Sequence, residues 1–132
     1  MTMKDRVEKA VELFKSGYNC SQSVVAAFAD MYGFTQEQAL RMSASFGGGI
    51  GRMRQTCGAA CGMFLLAGLE KGAVDGKDRE GKAANYALVQ QLAEEFRKRN
   101  GSMICAELLG LKKPEGSSTP EARTEQYYAK RP

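Results

Sequence analysis

Residues Asn19-Cys20-Ser21-Gln22-Ser23-Val24-Val25-Ala26-Ala27-Phe28-Ala29-Asp30-Met31-Tyr32-Gly33 decide the fold class. Asn19 is a good helix N-cap, Val24, Val25, Phe28 and Met31 recur at helical spacing, and Gly33 supplies a stop. On the N-terminal side, Val7, Ala10, Val11 and Phe14 fall at i, i+3, i+4 and i+7 and predict a helix over 4–16, closed by Gly17. On the other side, Thr35 and Gln38 have capping-box spacing with Phe34 in the staple position, for a helix reaching about residue 45.

The same reading continues to the C-terminus. Thr56 is a cap for a helix over 57–70, whose Gly, Ala and Cys side chains let a neighbouring backbone come close, so it is expected to be central. Gly72 closes it and Asp75-Gly76 marks a turn. Asp78 opens the longest helix, with Ala84, Leu88, Leu92 and Phe96 on one face, ended by Asn100-Gly101. Ser102 caps a short helix through Leu109, residues 113–118 read as a linker, and Thr119-Pro120-Glu121 reads as the start of a last helix. No segment alternates like a half-buried strand. The expectation is all-α, a single compact domain of about six or seven helices without repeats. Residues 1–112 would form the helical, cysteine-containing domain, and 113–132 a linker and C-terminal helix packed on it.

The 132 residues suit one domain, and 43% hydrophobic with 26% charged residues is the balance of a globular chain, not a disordered one. The chain has no histidine and no tryptophan, but four cysteines: Cys20, Cys57, Cys61 and Cys105. Without histidine there is no Ser-His-Asp or Cys-His nucleophile system, no His-ligated zinc, no facial triad, and no CxxCH haem attachment. Chemistry near neutral pH would fall to a perturbed thiol, lysine or carboxylate, or to the α-amino group.

The first ten residues carry no apolar core of a signal peptide, so secretion by that route is not expected. The apolar run Met63-Phe64-Leu65-Leu66-Ala67 is far shorter than the roughly 20 residues that span a bilayer. The expectation is a cytoplasmic protein with reduced thiols and no membrane association. The net charge of +4 is partly collected in Lys98, Arg99, Lys112, Lys113, Lys130 and Arg131. Nucleic-acid binding would need a denser stripe with stacking aromatics and is not expected.

The placement of the thiols is the most informative feature. Cys20 follows the cap Asn19, Cys57 follows the cap Thr56, Cys105 lies three residues after Ser102, and Cys61 sits one turn beyond Cys57. Helix N-termini present free N–H groups and a positive dipole end, which favour thiolate over thiol. Cys57 and Cys61, at i and i+4, would have Cβ atoms about 5–6 Å apart, too far for a disulfide within an intact helix. A redox pair would therefore join Cys57 or Cys61 to Cys20 or Cys105. Cys57 is expected to be the most reactive thiol, helped by Arg52 and Arg54, with Cys20 or Cys105 resolving.

Two other readings stay open. The four thiolates Cys20, Cys57, Cys61 and Cys105 would suffice for zinc or an iron–sulfur cluster if the helix ends converge, although their spacing matches neither CxxC pairs nor a ferredoxin run. Alternatively they only pack, in a non-catalytic helical interaction module. The connector Phe46-Gly47-Gly48-Gly49-Ile50-Gly51-Arg52 is neither a P-loop nor a dinucleotide fingerprint. Gly47, Gly48, Gly49, Gly51 and Arg52 would bind an anion or ligand through backbone N–H groups and the guanidinium, or form only a tight passage.

With these residues in view, the chain resembles the C_GCAxxG_C_C family, whose members are assigned a redox role from their cysteines. The stretches that carry the resemblance are Gly17-Tyr18-Asn19-Cys20-Ser21-Gln22-Ser23-Val24, Phe46 to Arg52, Thr56-Cys57-Gly58-Ala59-Ala60-Cys61-Gly62 and Cys105-Ala106-Glu107-Leu108-Leu109-Gly110. The resemblance implies a helical domain with a redox role and carries over to Cys20, Cys57 and Cys105. This chain reads Cys-Gly-Ala-x-x-Gly in its central stretch, has no cysteine after Cys105, and places Cys61 at a variable position. The functional expectation is a redox-active protein that uses clustered thiols for disulfide exchange or electron transfer. Its redox partner is unidentified, and it would be free to form a homo-oligomer.

Overall fold

The structure is a computed structural model and describes residues 1–111 and 117–131. The linker expected over 113–118 lies largely outside the described residues. The described chain is all-α, as expected from the periodicity. Helix α1 (Met3–Lys15) is followed by α2 (Cys20–Phe28), a 3-10 turn (Ala29–Tyr32) and α3 (Gln36–Ser43). After a second 3-10 turn (Ala44–Phe46) and the glycine turn α4 (Gly47–Ile50) come α5 (Gly58–Lys71), α6 (Arg79–Asn100), α7 (Cys105–Leu108) and α8 (Glu125–Ala129).

The caps read from sequence form where their side chains can reach. Asn19 Oδ1 accepts from Gln22 N at 2.9 Å and Thr35 Oγ1 accepts from Gln38 N at 3.1 Å, each glutamine returning a bond to the cap backbone. Asp78 Oδ1 accepts from Gly81 N at 2.8 Å and opens α6. Three expectations shift. Cys57 is itself the N-cap of α5, because Thr56 is held in an antiparallel bridge with Ile104. Ser102 Oγ accepts from Ile104 N, so α7 starts at Cys105 with Ile104 as cap. The last helix begins at Glu125 behind Thr124, not at Pro120.

α2 lies at the centre, packed against α1, α3 and α5. The core around it is built from small residues, Val25, Ala26, Ala29 and Ala39, with Leu13, Phe34, Leu40 and Leu65 closing its edges. Small side chains bring the helix backbones close together, and Gly62 illustrates the limit. A Cβ there would stand 3.2 Å from both Ser21 O and Val24 Cβ.

The apolar set that marks α1 in the sequence does not face this core. Val7 is 57% and Val11 49% exposed, while Arg6 is buried. Arg6 Nη1 donates to the Ala27 carbonyl at 3.0 Å and to Asp30 Oδ1 at 2.5 Å, so the guanidinium tethers α1 to the end of α2. A buried cation satisfied by a carbonyl and a carboxylate outweighs the burial of two valines and sets the rotation of α1.

The glycine connector is not an open loop. Gly48, Gly49, Ile50, Gly51 and Arg52 all have positive φ, between 59° and 73°, giving a short left-handed turn. Gly47 O accepts from the N–H of both Gly51 and Arg52, and the turn closes with Arg54 N to Gly48 O at 3.2 Å and Gln55 N to Gly49 O at 2.9 Å. L-residues resist this hand by about 1–2 kcal/mol each, so glycine fills most of it. Ile50, Arg52 and Arg54 accept it as non-glycine residues, a cost that clusters at functional segments. Beyond the turn, Cys57 N donates to Met103 O and Cys105 N to Gln55 O, both at 2.6 Å, clamping the starts of α5 and α7 side by side.

These contacts set the stability cost of three substitutions. Gly49→Ala should cost about 3 kcal/mol or more, since its Cβ would lie 2.5 Å from Cys105 Cβ and 2.7 Å from Arg54 Cα at a left-handed φ. Gly51→Ala, with only Ser45 O at 3.9 Å, should cost only the conformational part, about 1–2 kcal/mol. Urea unfolding separates the two, and equal losses would contradict the close approach. In the same assay Arg6→Ala should cost about 2–3 kcal/mol, because it orphans the buried Ala27 carbonyl.

Candidate functional site

The N-termini of α2 and α5 and the left-handed turn meet at one sulfur atom, Sγ of Cys20. As the first residue of α2, Cys20 is placed by Asn19, whose Nδ2 also donates to Ala44 O at 3.0 Å. Gly47 packs flat against that asparagine; a Cβ there would lie 2.3 Å from Asn19 Cγ. Gly58 does the same for the sulfur, since its Cβ would come within 2.5 Å of Cys20 Sγ. Two glycines therefore leave the space in which the thiol sits.

The environment of this sulfur favours its charged form. The Cys57 thiol donates a hydrogen bond to it, and the backbone N–H groups of Gly48, Ser21 and Ala59 add three more; together they outweigh burial and lower the Cys20 pKa from 9.0 to about 6. Cys57 moves the other way. The hydrogen bond it gives to Cys20, together with burial, holds it protonated well above the ordinary thiol range. Burial, and then the negative charge on Cys20, push Cys61 up as well. The sequence led to the expectation that Cys57 is the low-pKa thiol. The structure assigns that character to Cys20, because the dipole ends of two helices reach it and Cys57 serves as its donor.

The arginines also point elsewhere than expected. Arg54, buried, directs Nη1 to Cys105 Sγ at 3.5 Å rather than to Cys57. Arg52 donates to the carbonyls of Ser117 and Thr119, and both guanidiniums approach Glu121 Oε1 at 3.8 Å. Of the connector's backbone, Gly48 N–H is directed at the Cys20 sulfur, whereas Gly49 packs against Cys105. Gly51 lines the adjoining cavity.

A cavity of about 1160 Å³ opens beside the pair, with Cys20, Cys57 and Cys105 in its wall together with Gly47, Gly48, Arg52 and Arg54. Cys61 is not in that wall; its Sγ faces the Thr56 carbonyl at 3.9 Å. The structure thus brings three of the four thiols to one space and turns the fourth aside. Among the described residues, no group of three or more Cys, Asp or Glu side chains comes together so as to hold a metal ion. The ligand convergence that the metal reading requires is therefore not formed, and the Arg54 cation beside Cys105 opposes it.

Sequence reasoning missed the far wall. Phe14, Tyr127 and Tyr128 form an aromatic cluster with centroids 5.2–6.2 Å apart, and Arg123 and Arg131 stand over Tyr127 at 4.4 and 3.8 Å. Tyr128 Oη donates to Lys15 O at 3.0 Å and ties α8 to α1. The i, i+4 spacing of Arg123 with Tyr127 and Tyr127 with Arg131 is the signal in the sequence, though nothing local says what it covers.

Among the described residues no helix is long and apolar enough to cross a membrane. Neither a curated protein nor a solved structure matches the chain. A family model does, over residues 18–132, a span that contains all four cysteines and the glycine turn. The chain belongs to the family described as "Putative redox-active protein (C_GCAxxG_C_C)".

Proposed function

We propose that this protein is a thiol–disulfide oxidoreductase whose working pair is Cys20 and Cys57. The observation that carries the proposal is the asymmetric sulfur pair: a Cys20 sulfur stabilised as thiolate by Cys57 and three backbone N–H groups, beside a cavity large enough to admit a disulfide. A thiolate is the attacking form in disulfide exchange, and a pKa near or below the ambient pH keeps it populated.

The exchange runs in two displacements. Cys20 Sγ attacks one sulfur of a partner disulfide, forming a mixed disulfide and releasing the other sulfur as thiolate. The lost charge on Cys20 removes what held Cys57 protonated, so the Cys57 proton passes to the departing thiolate. Cys57, now a thiolate, then attacks Cys20 Sγ, closing a Cys20–Cys57 disulfide and releasing the second partner sulfur as a thiolate, which takes its proton from water. Two electrons pass from the protein to the partner; run in reverse, the protein disulfide is reduced by a dithiol. Cys105 lines the same space but has Arg54 on its sulfur, and Cys61 faces away, so neither is assigned to the pair. The cytoplasm, which keeps thiols reduced, suits the resting dithiol.

Alkylation by iodoacetamide tests the thiolate. Labelling of Cys20, followed by peptide mass mapping, should rise through about pH 6 and level off above pH 7, being roughly tenfold slower at pH 5 than on the plateau. A rate still climbing at pH 9 would overturn the assignment. Cys57→Ala should move the midpoint upward, toward the ordinary thiol range, because the strongest hydrogen bond to the sulfur is lost.

Reaction with excess small disulfide tests the pair. Wild-type protein should lose two of its four thiols without retaining an adduct, while Cys57→Ser should stop at a mixed disulfide on Cys20. Cys61→Ser and Cys105→Ser should each still lose two. Closure of a different pair would reject the Cys20–Cys57 reading.

A further inference from the structure

The chain exposes more surface than a folded monomer of its mass should. Its accessible surface is 8574 Å², whereas a monomer of 14.4 kDa is expected to expose roughly 6,800 Å². The largest side chain wholly removed from solvent is Val25, and no Leu, Phe or Met among the described residues is buried. Apolar residues that a chain of this length would normally enclose thus remain at its surface.

Three of them are ordered along α1. Met3, Val7 and Val11 recur every four residues and are 57%, 57% and 49% exposed. They form one stripe, about a quarter-turn round the helix from the buried Arg6, which fixes the rotation of α1. The stripe reaches the thiol cavity, whose wall includes Val11 and Phe14.

We infer that a second copy of this chain covers the stripe, in a two-fold dimer built on antiparallel packing of α1 against α1. The surface excess of about 1,700 Å², taken over the whole chain, leaves room for an interface of the standard roughly 800 Å² per partner. The flanking charges are self-complementary. Lys4 and Glu8 border the stripe one turn apart, so an antiparallel pair centred on Val7 sets Lys4 of each copy near Glu8 of the other. Such a contact would place the second copy beside the Val11 edge of the thiol cavity. The inference stands on area, exposure and charge, independently of the thiol chemistry.

Sedimentation velocity on the full chain at micromolar concentration, in excess reductant, tests it. Wild type should sediment at twice the mass of the chain. Val7→Lys with Val11→Lys should weaken association by on the order of a hundredfold or more, since two apolar anchors are lost in each copy. The far-ultraviolet circular dichroism of that variant should be unchanged, because both positions are exposed in the protomer. Lys4→Glu should weaken the dimer several-fold and adding Glu8→Lys should restore it. A monomeric wild type, a dimer indifferent to the valine changes, or a charge swap that fails to rescue would each overturn the inference.

Discussion

The enclosure of one sulfur atom governs much of the architecture. Placing the Cys20 sulfur under the N-termini of α2 and α5 requires two backbones and a turn to approach it within van der Waals distance, and any Cβ at Gly58 would occupy its place. The same demand explains the glycines at 47 to 49. Gly47 lies flat on Asn19, Gly48 offers its N–H to the sulfur, and Gly49 leaves room for Cys105. That Ile50, Arg52 and Arg54 share the strained hand shows how strongly the surroundings dictate the path.

The small-residue core is the second consequence of close packing. α2 can sit among three helices because Ala26, Ala29, Ala39 and Gly62 line the contacts. What is gained in proximity is lost in buried apolar area, so the larger side chains of α5 and α6 stay only half covered. Orientation is then settled by polar contacts to an unusual degree: Arg6 on Ala27 and Asp30, Gln22 on Leu40, and Arg54 on Cys105 each join elements that apolar packing alone would leave loosely aligned.

Capping chemistry was readable from sequence because it acts over three or four residues. Asn19 with Gln22, Thr35 with Gln38, and Asp78 all open helices in the manner that their spacing implies. Thr56 and Ser102 did not, because both lie in segments that pair with each other across the chain, and that pairing overrides the local preference. The α1 periodicity marked a helix correctly yet said nothing about its rotation, which the buried Arg6 decides. The approach of α8 to Phe14 and Lys15 likewise rests on contacts more than a hundred residues apart.

By itself the sequence determined the all-α class, the approximate places of most helices, and the concentration of thiols near helix starts, because each depends on residue type and short-range spacing. It also excluded every mechanism that needs histidine. Only the tertiary structure brings to one sulfur the donors that favour its charged form. A thiol's pKa depends on which donors from other elements reach it, and Gly48, Cys57 and Ala59 come to Cys20 through folding, not through their distance along the chain.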